Sequence, residues 1–206
     1  MGSHRCFEAI EHSFKRAAGA LAEARVEFML GGSLAVWVRG GPESCNDLDL
    51  MLRKPDSERA LKALQVAGMR TERPPEGWLV KAWDGDVLID LISEPIGVPI
   101  DDQAFERADE VSAWGVHVRA MSLEDVMVSK LLALHEHALD LEDLLQISRA
   151  LRELVDWPQV RARTADSPYA RVFFALLSEL GVYTEGAVTP GAKAPQRRVR
   201  VASSIG

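Results

Sequence analysis

The sequence predicts an α+β fold: a small mixed β-sheet core flanked by helices, followed by a C-terminal helical bundle. Three observations lead there. Apolar residues recur at helical spacing at the start of the chain. Short apolar runs bounded by Gly, Pro and Asp punctuate residues 26 to 120. From Ser122 onward only helical periodicity remains. A length of 206 residues fits one domain, or one domain with a helical appendage. The expected division is an α/β core over 1–120, a helical subdomain over 121–183 and a flexible basic tail over 184–206.

Phe7, Ile10, Phe14, Ala17 and Leu21 recur at helical spacing, which predicts an amphipathic helix over residues 5 to 25. "VEFML" (26–30) reads as a short strand ending in Gly31-Gly32-Ser33, a turn that opens a second helix to about Arg39. Gly40-Gly41-Pro42 breaks that helix. "DLDLML" (47–52) is the second strand. Pro55-Asp56 begins a helix with Leu61 and Leu64 inward, closed by Gly68. "WLVKAW" and "DVLIDLI" flank Asp84-Gly85, a hairpin signal. "VHVRA" (116–120) is the last expected strand. Ser122-Leu123-Glu124-Asp125 is a capping-box pattern starting a helix to about His137. Asp140 caps the next helix, whose stripe is Leu141, Leu144, Leu145, Ile147 and Leu151. Trp157-Pro158 restarts a helix, and another runs from Tyr169 to Leu180, ended by Gly181. Beyond Thr184 the Gly, Ala, Pro and Arg content predicts disorder.

The net charge of −7 is uneven. Residues 101 to 146 hold 11 acids against three bases, Arg107, Arg119 and Lys130. The tail reverses sign with Lys193, Arg197, Arg198 and Arg200. An acidic body argues against nonspecific nucleic-acid binding as the main task, while the tail offers a local basic surface. Both charge runs also read as solvated surface. Cys6 and Cys45 match no metal spacing, the first residues lack the apolar run of a signal peptide, and no stretch of about 18 apolar residues exists to cross a membrane. A cytoplasmic, reduced chain is expected.

The chemistry concentrates in three aspartates. Asp47 and Asp49 lie one residue apart in an apolar strand, so both side chains take the same face. Asp90 stands among Val87, Leu88, Ile89, Leu91 and Ile92. If its strand neighbours the first, at a separation of roughly 4.8 Å, the three carboxylates meet. Their repulsion calls for a cation, and oxygen-rich clusters suit Mg²⁺ or Mn²⁺. The Gly31-Gly32-Ser33 turn fits the same scheme, because glycines let backbone N–H groups approach phosphate closely. No lysine-bearing P-loop, Gly-x-Gly-x-x-Gly or His-Glu-x-x-His is present.

Gly32-Ser33, then Asp47-Leu48-Asp49, then Asp90 resembles the polymerase-β-like nucleotidyltransferases, whose signature is a Gly-Ser turn, Asp-x-Asp on a strand and a third carboxylate on a later strand. "SKLLALHEHALDLEDLLQI" is similar to the helical part of minimal nucleotidyltransferases and abortive-infection type toxins, through Lys130 and Asp140-Leu141-Glu142-Asp143-Leu144. The resemblance covers roughly residues 26 to 150. It departs at Leu139, where a basic residue is frequent, and at His135 and His137, where arginine is common.

The resemblance implies a metal-dependent enzyme using an NTP, ATP included. Asp47 and Asp49 would ligate the metals, and Asp90 would complete the site and help activate the attacking hydroxyl. Ser33 and the N–H groups near Gly32 would hold the β- and γ-phosphates. Lys130 would offset triphosphate charge, with Asp140 or Asp143 orienting it. Each part alone has a plainer reading: a strand–helix turn, an exposed strand face, a solvent-facing lysine, an N-cap. His135 and His137, two apart on a helix, would face different ways. The tryptophans Trp37, Trp78, Trp83, Trp114 and Trp157 read as core or rim.

For the acceptor, the resemblance implies the 3′ end of RNA, tRNA above all, with the chain as the toxin of a toxin–antitoxin pair and an antitoxin protein as partner. A small hydroxyl-bearing molecule such as an aminoglycoside is the alternative, because the acidic 101–146 segment suits a polycation. A catalytically inactive binding module is the third, and the intact triad of aspartates argues against it.

Overall fold

The computed structural model describes residues 2–43 and 47–184. The first half alternates helices and strands: α1 (Gly2–Glu23), β1 (Phe28–Leu30), α2 (Gly32–Trp37), β2 (Leu48–Leu52), α3 (Ser57–Val66), β3 (Arg70–Glu72), β4 (Leu79–Asp84) and β5 (Val87–Ile92). Then come α4 (Asp102–Arg107), β6 (Asp109–Ala113), β7 (Val116–Ala120) and four helices, α5 (Leu123–Ala133), α6 (Leu141–Leu151), α7 (Trp157–Arg163) and α8 (Pro168–Glu179). One seven-stranded sheet runs in the order β3-β4-β5-β2-β1-β7-β6. It is mixed: β2–β5 and β1–β7 pair in parallel, and the other neighbours pair antiparallel. Mixed sheet and trailing helices match the expected fold class.

Alternation along β2 sets the core. Leu48, Leu50 and Leu52 point to one face and are fully buried, while Asp49 and Met51 point to the other. Each such leucine contributes roughly 2 kcal/mol of hydrophobic stabilisation. On α1 the stripe Ile10, Phe14, Ala17 and Leu21 is buried as its spacing predicts. α1 packs on α3, and both reach β5. The apolar cluster continues from there into Leu144, Ile147, Leu151, Phe173 and Leu177 of the later helices.

Three elements escape the sequence reading. β3 and β6 are the two edge strands, short and charged; β3 shows no period-two apolar signal and β6 only the brief alternation of Val111 and Ala113. The short helix α4 also lacks that signal, and Asp101 caps it by accepting from the Ala104 N–H. The turn joining β6 to β7 is Trp114-Gly115, both with positive φ (48° and 84°), a two-residue hairpin without the usual Asn-Gly or Asp-Gly marker.

α5 ends earlier than expected. Leu134 turns extended and stays buried, and then no residue is buried until Leu144. Without an apolar stripe the helix has nothing to pack, so residues 135–138 form a tight bridge, with His135 and Ala138 exchanging N–H···O bonds of 3.3 and 2.9 Å. His135 and His137 are therefore in a turn, not on a helix. Ser122 caps α5 as expected, accepting from the Asp125 N–H at 3.1 Å. The expected disorder of the tail, its four basic residues and Cys45 fall outside the described residues. Among the described residues no helix is long and apolar enough to cross a membrane.

Asp125 ties the later helices to the sheet half. It is fully buried on α5 and receives Arg107 of α4 at 3.1 Å and Arg163 of α7 at 2.6 Å. Removing the carboxylate leaves two partly exposed guanidinium groups without the buried counter-charge they share. Asp125→Ala should lower the unfolding free energy by about 2–4 kcal/mol, measured by urea unfolding. A loss under 0.5 kcal/mol, roughly that of a surface change, would show that the clamp is idle.

Candidate active site

The parallel pairing of β2 with β5 places Asp49 directly beside Asp90. Asp47, one residue before β2, shares the face of Asp49. One oxygen from each of the three carboxylates lies within 4.8 Å of the others. Among the described residues no other three His, Cys, Asp or Glu side chains converge this way. Asp90 is buried, and Asp47 and Asp49 are half-buried.

The glycine turn closes over this face. Gly31 donates its N–H to the Asp49 carbonyl at 2.9 Å. A methyl group on Gly31 would overlap the Met51 side chain, and one on Gly32 would overlap the Asp49 carboxylate. Gly32 also has φ +46°, a region that L side chains rarely adopt. Glycine is required here by space as well as by backbone conformation. Ser33 follows, half-buried at the start of α2.

Burial, and after it crowding of like charge, disfavours the ionised carboxylates of the cluster. Burial first, then the Asp47 and Asp90 charges, push the Asp49 carboxyl up to about 7. Burial first, then Asp90, also raises Asp47. Lys81 and Lys130 pull both back down. A site that holds a proton this readily also attracts a metal ion, and an all-oxygen donor set fits a hard divalent cation such as Mg²⁺ or Mn²⁺.

Lys130, in the last turn of α5, bonds Asp143 of α6 at 2.7 Å (Nζ to Oδ2). Asp140 instead accepts from the Asp143 N–H at 3.3 Å. Of the two candidate acids, Asp140 is the helix cap and Asp143 the lysine's partner.

Lys81 is the residue that sequence reasoning missed. On β4 it lies opposite Asp90, and its Nζ is 3.0 Å from Asp90 Oδ1. The expected loop, Asp84-Gly85, would set Leu79 against Asp90. The actual loop is Gly85-Asp86, with Gly85 at φ +61° in the first central position and Asp84 paired with Val87. That one-residue slip of the turn moves the partner of Asp90 by two residues, from Leu79 to Lys81. The signal was available, since glycine at the first central position marks this turn type.

Trp37 and Trp114 stack at 4.7 Å with Phe7 against both, and Trp157 is buried, in line with a core or rim role. Trp83 carries the Arg70 guanidinium on its ring at 3.6 Å, and Trp78 is exposed.

A family model described as an uncharacterised nucleotidyltransferase matches residues 37–179. Among solved structures, the crystal structure of ANT(2″)-Ia in complex with adenylyl-2″-tobramycin aligns with a TM-score of 0.59 at 16% identity, over 79% of this chain and 98% of that one. The solution structure of ANT(2″)-Ia, described as an antibiotic-resistance factor, aligns at 0.60 and 16% identity, over 83% and 96%. At that identity the likeness is one of fold. No curated protein sequence matches the chain.

The raised carboxyl of Asp49 makes stability depend on pH. The folded state retains a proton that the unfolded chain releases at the ordinary carboxylate value of 3.8. The stability that proton contributes is whole below that value and is lost as pH rises through about 7. Without divalent cations, Asp49→Asn should therefore melt several degrees above wild type at pH 8, with a smaller gap at pH 5. Equal melting temperatures at pH 8 in calorimetry would mean that neither burial nor the neighbouring carboxylates disfavour the ionised Asp49.

Proposed function

The chain belongs to the uncharacterised nucleotidyltransferase family, and from that premise we propose that it transfers a nucleotidyl group from an NTP to an acceptor hydroxyl, with a divalent cation held by Asp47, Asp49 and Asp90. The single observation behind this reading is the meeting of those three carboxylates within 4.8 Å, beneath the Gly31-Gly32-Ser33 turn. Mg²⁺ or Mn²⁺ in that site would supply charge to the phosphates and lower the pKa of the attacking hydroxyl.

The chain's own groups divide the remaining work. The acceptor oxygen forms a bond to the α-phosphorus, the bond from that phosphorus to the bridging oxygen breaks, and pyrophosphate leaves. The hydroxyl proton passes to Asp90. Ser33 and the backbone at Gly32 hold the β- and γ-phosphates. Lys130, steered by Asp143, offsets the charge that grows on the leaving group.

For the acceptor we favour a small, hydroxyl-bearing, cationic molecule of the aminoglycoside kind. The supporting observation is the charge on the chain between Lys130 and Asp143. Glu136, Asp140 and Glu142 are exposed on the stretch of chain between Lys130 and Asp143, whose two ends the Lys130–Asp143 pair joins. Such a rim attracts a polycation and repels a phosphate backbone. The second reading, transfer to the 3′ end of tRNA by a cytoplasmic toxin held by an antitoxin, draws on Lys193, Arg197, Arg198 and Arg200. Incubation with each labelled NTP and Mg²⁺, with aminoglycosides in one arm and total tRNA in the other, separates the two. Label on tRNA alone would reverse the order, and label on neither would leave both acceptors wrong.

Asp47→Ala and Asp49→Ala should each abolish transfer while the far-ultraviolet circular dichroism stays that of wild type. Wild-type turnover at saturating Mg²⁺ in either variant would refute the metal assignment. Lys130→Ala should change stability by about 0.5 kcal/mol or less, since the lysine is partly exposed, yet cut turnover at least tenfold, about 1.4 kcal/mol in the barrier. Unchanged kcat/KM would return Lys130 to ordinary surface.

A further inference from the structure

The three carboxylates already have a cationic neighbour supplied by the sheet. Lys81 reaches Asp90 Oδ1 at 3.0 Å from the adjacent strand, with its side chain 26% exposed and that of Asp90 10% exposed. Its charge is felt at Asp47 and Asp49 as well. Lys130, the other lysine acting on the cluster, is held by an acid of its own, Asp143. Lys81 has no acid partner besides Asp90 among the ion pairs of the described residues.

We propose that Lys81 is a positioning residue that acts as a resident counter-ion of the carboxylate cluster, competing with the divalent cation and keeping the bare ion weakly bound. The inference rests on the metal reading given under Proposed function. Two opposing effects decide its direction. The Lys81 ammonium orients the Asp90 carboxylate, which helps any cation that shares it. It also places a positive charge within a few ångströms of a dication, which opposes binding. Orientation through one hydrogen bond is a small effect, whereas the repulsion acts on a double charge in a half-buried site. Repulsion prevails, so the cluster takes up its cation best when nucleotide phosphates arrive to offset the lysine. β4 supplies this charge at a fixed place, because the Lys81–Asp90 pairing is part of the strand register.

The test is direct binding of Mn²⁺ alone, followed by the electron paramagnetic resonance of the free ion, to the full chain without nucleotide. Lys81→Met keeps the length of the side chain and removes its charge. It should bind Mn²⁺ at least about tenfold more tightly than wild type, a lower bound for one charge a few ångströms from a dication in a half-buried site. Lys81→Gln should do the same, and Lys81→Arg, which keeps the charge, should bind as wild type does. The melting temperature should rise more with Mn²⁺ in the two neutral variants than in wild type. Equal or weaker Mn²⁺ binding by the neutral variants overturns the inference while the metal reading stands. Asp49→Asn serves as control: if it binds Mn²⁺ as wild type does, or if no variant binds, the metal reading itself falls and takes this inference with it.

Discussion

Three carboxylates sharing one half-buried face repel one another, and much of this structure is arranged around that repulsion. The parallel pairing of β2 with β5 creates the conflict by setting Asp49 beside Asp90. A sheet in which the two strands were separated would avoid it and would also have no site. What keeps the strands together is the opposite face of β2, where Leu48, Leu50 and Leu52 are fully buried. Their burial, several kcal/mol in total, outweighs the strain of a partly charged cluster and fixes its geometry. A one-residue slip of β2 would turn the aspartates into the core and the leucines toward the turn, so the register is strongly specified.

The helical half supplies what the sheet lacks. Lys130 comes from α5, whose seat is set by the buried Asp125 and its two arginines. The Lys130–Asp143 pair is partly exposed and adds at most about 1 kcal/mol of stability. Its value lies in placement: it brings the ammonium of α5 and the start of α6 together at the edge of the carboxylate cluster. A second placement runs through Arg39, just beyond α2. It donates to the Ala35 and Ala120 carbonyls and pairs with Asp109 at 2.6 Å, joining the helix that follows the glycine turn to the β6–β7 hairpin.

Legibility in the sequence followed the strength of the local signal. Asp47 and Asp49 could be placed on one face because strand periodicity is strict, and Asp90 because it interrupts an apolar run. Asp140 could be read as a cap because the pattern is local, and its accepting bond from the Asp143 N–H bears this out. Lys81 was hidden by one residue of turn placement, since register carries such an error along the whole hairpin. The charged edge strands β3 and β6 were hidden because their charge guards an exposed edge instead of filling a core. The end of α5 was overrun because a helix pattern does not announce where its packing partner stops. The pairing of Asp125 with Arg107 and Arg163 spans distant segments, and nothing local in the sequence marks it.

The division of labour in the site bears on how an acceptor is chosen. A carboxylate cluster with a divalent cation activates any hydroxyl brought to it, so the chemistry selects nothing. A fold shared at 16% identity selects nothing either. Under the proposed reading, selection falls to the surface that an incoming molecule meets first, and charge there favours a cation. Glu136, Asp140 and Glu142 are exposed, so each acts weakly and is screened beyond about 8–10 Å. Their effect becomes useful through number and nearness: a molecule bearing several ammonium groups meets several carboxylates at once, while the triphosphate is drawn to the lysines. Under the reading proposed above, the same surface would separate the two substrates by sign, anionic donor toward Lys81 and Lys130, cationic acceptor toward the acidic segment. On that reading, a polyphosphate acceptor would meet the acidic segment against its charge and would compete with the donor for the same two lysines.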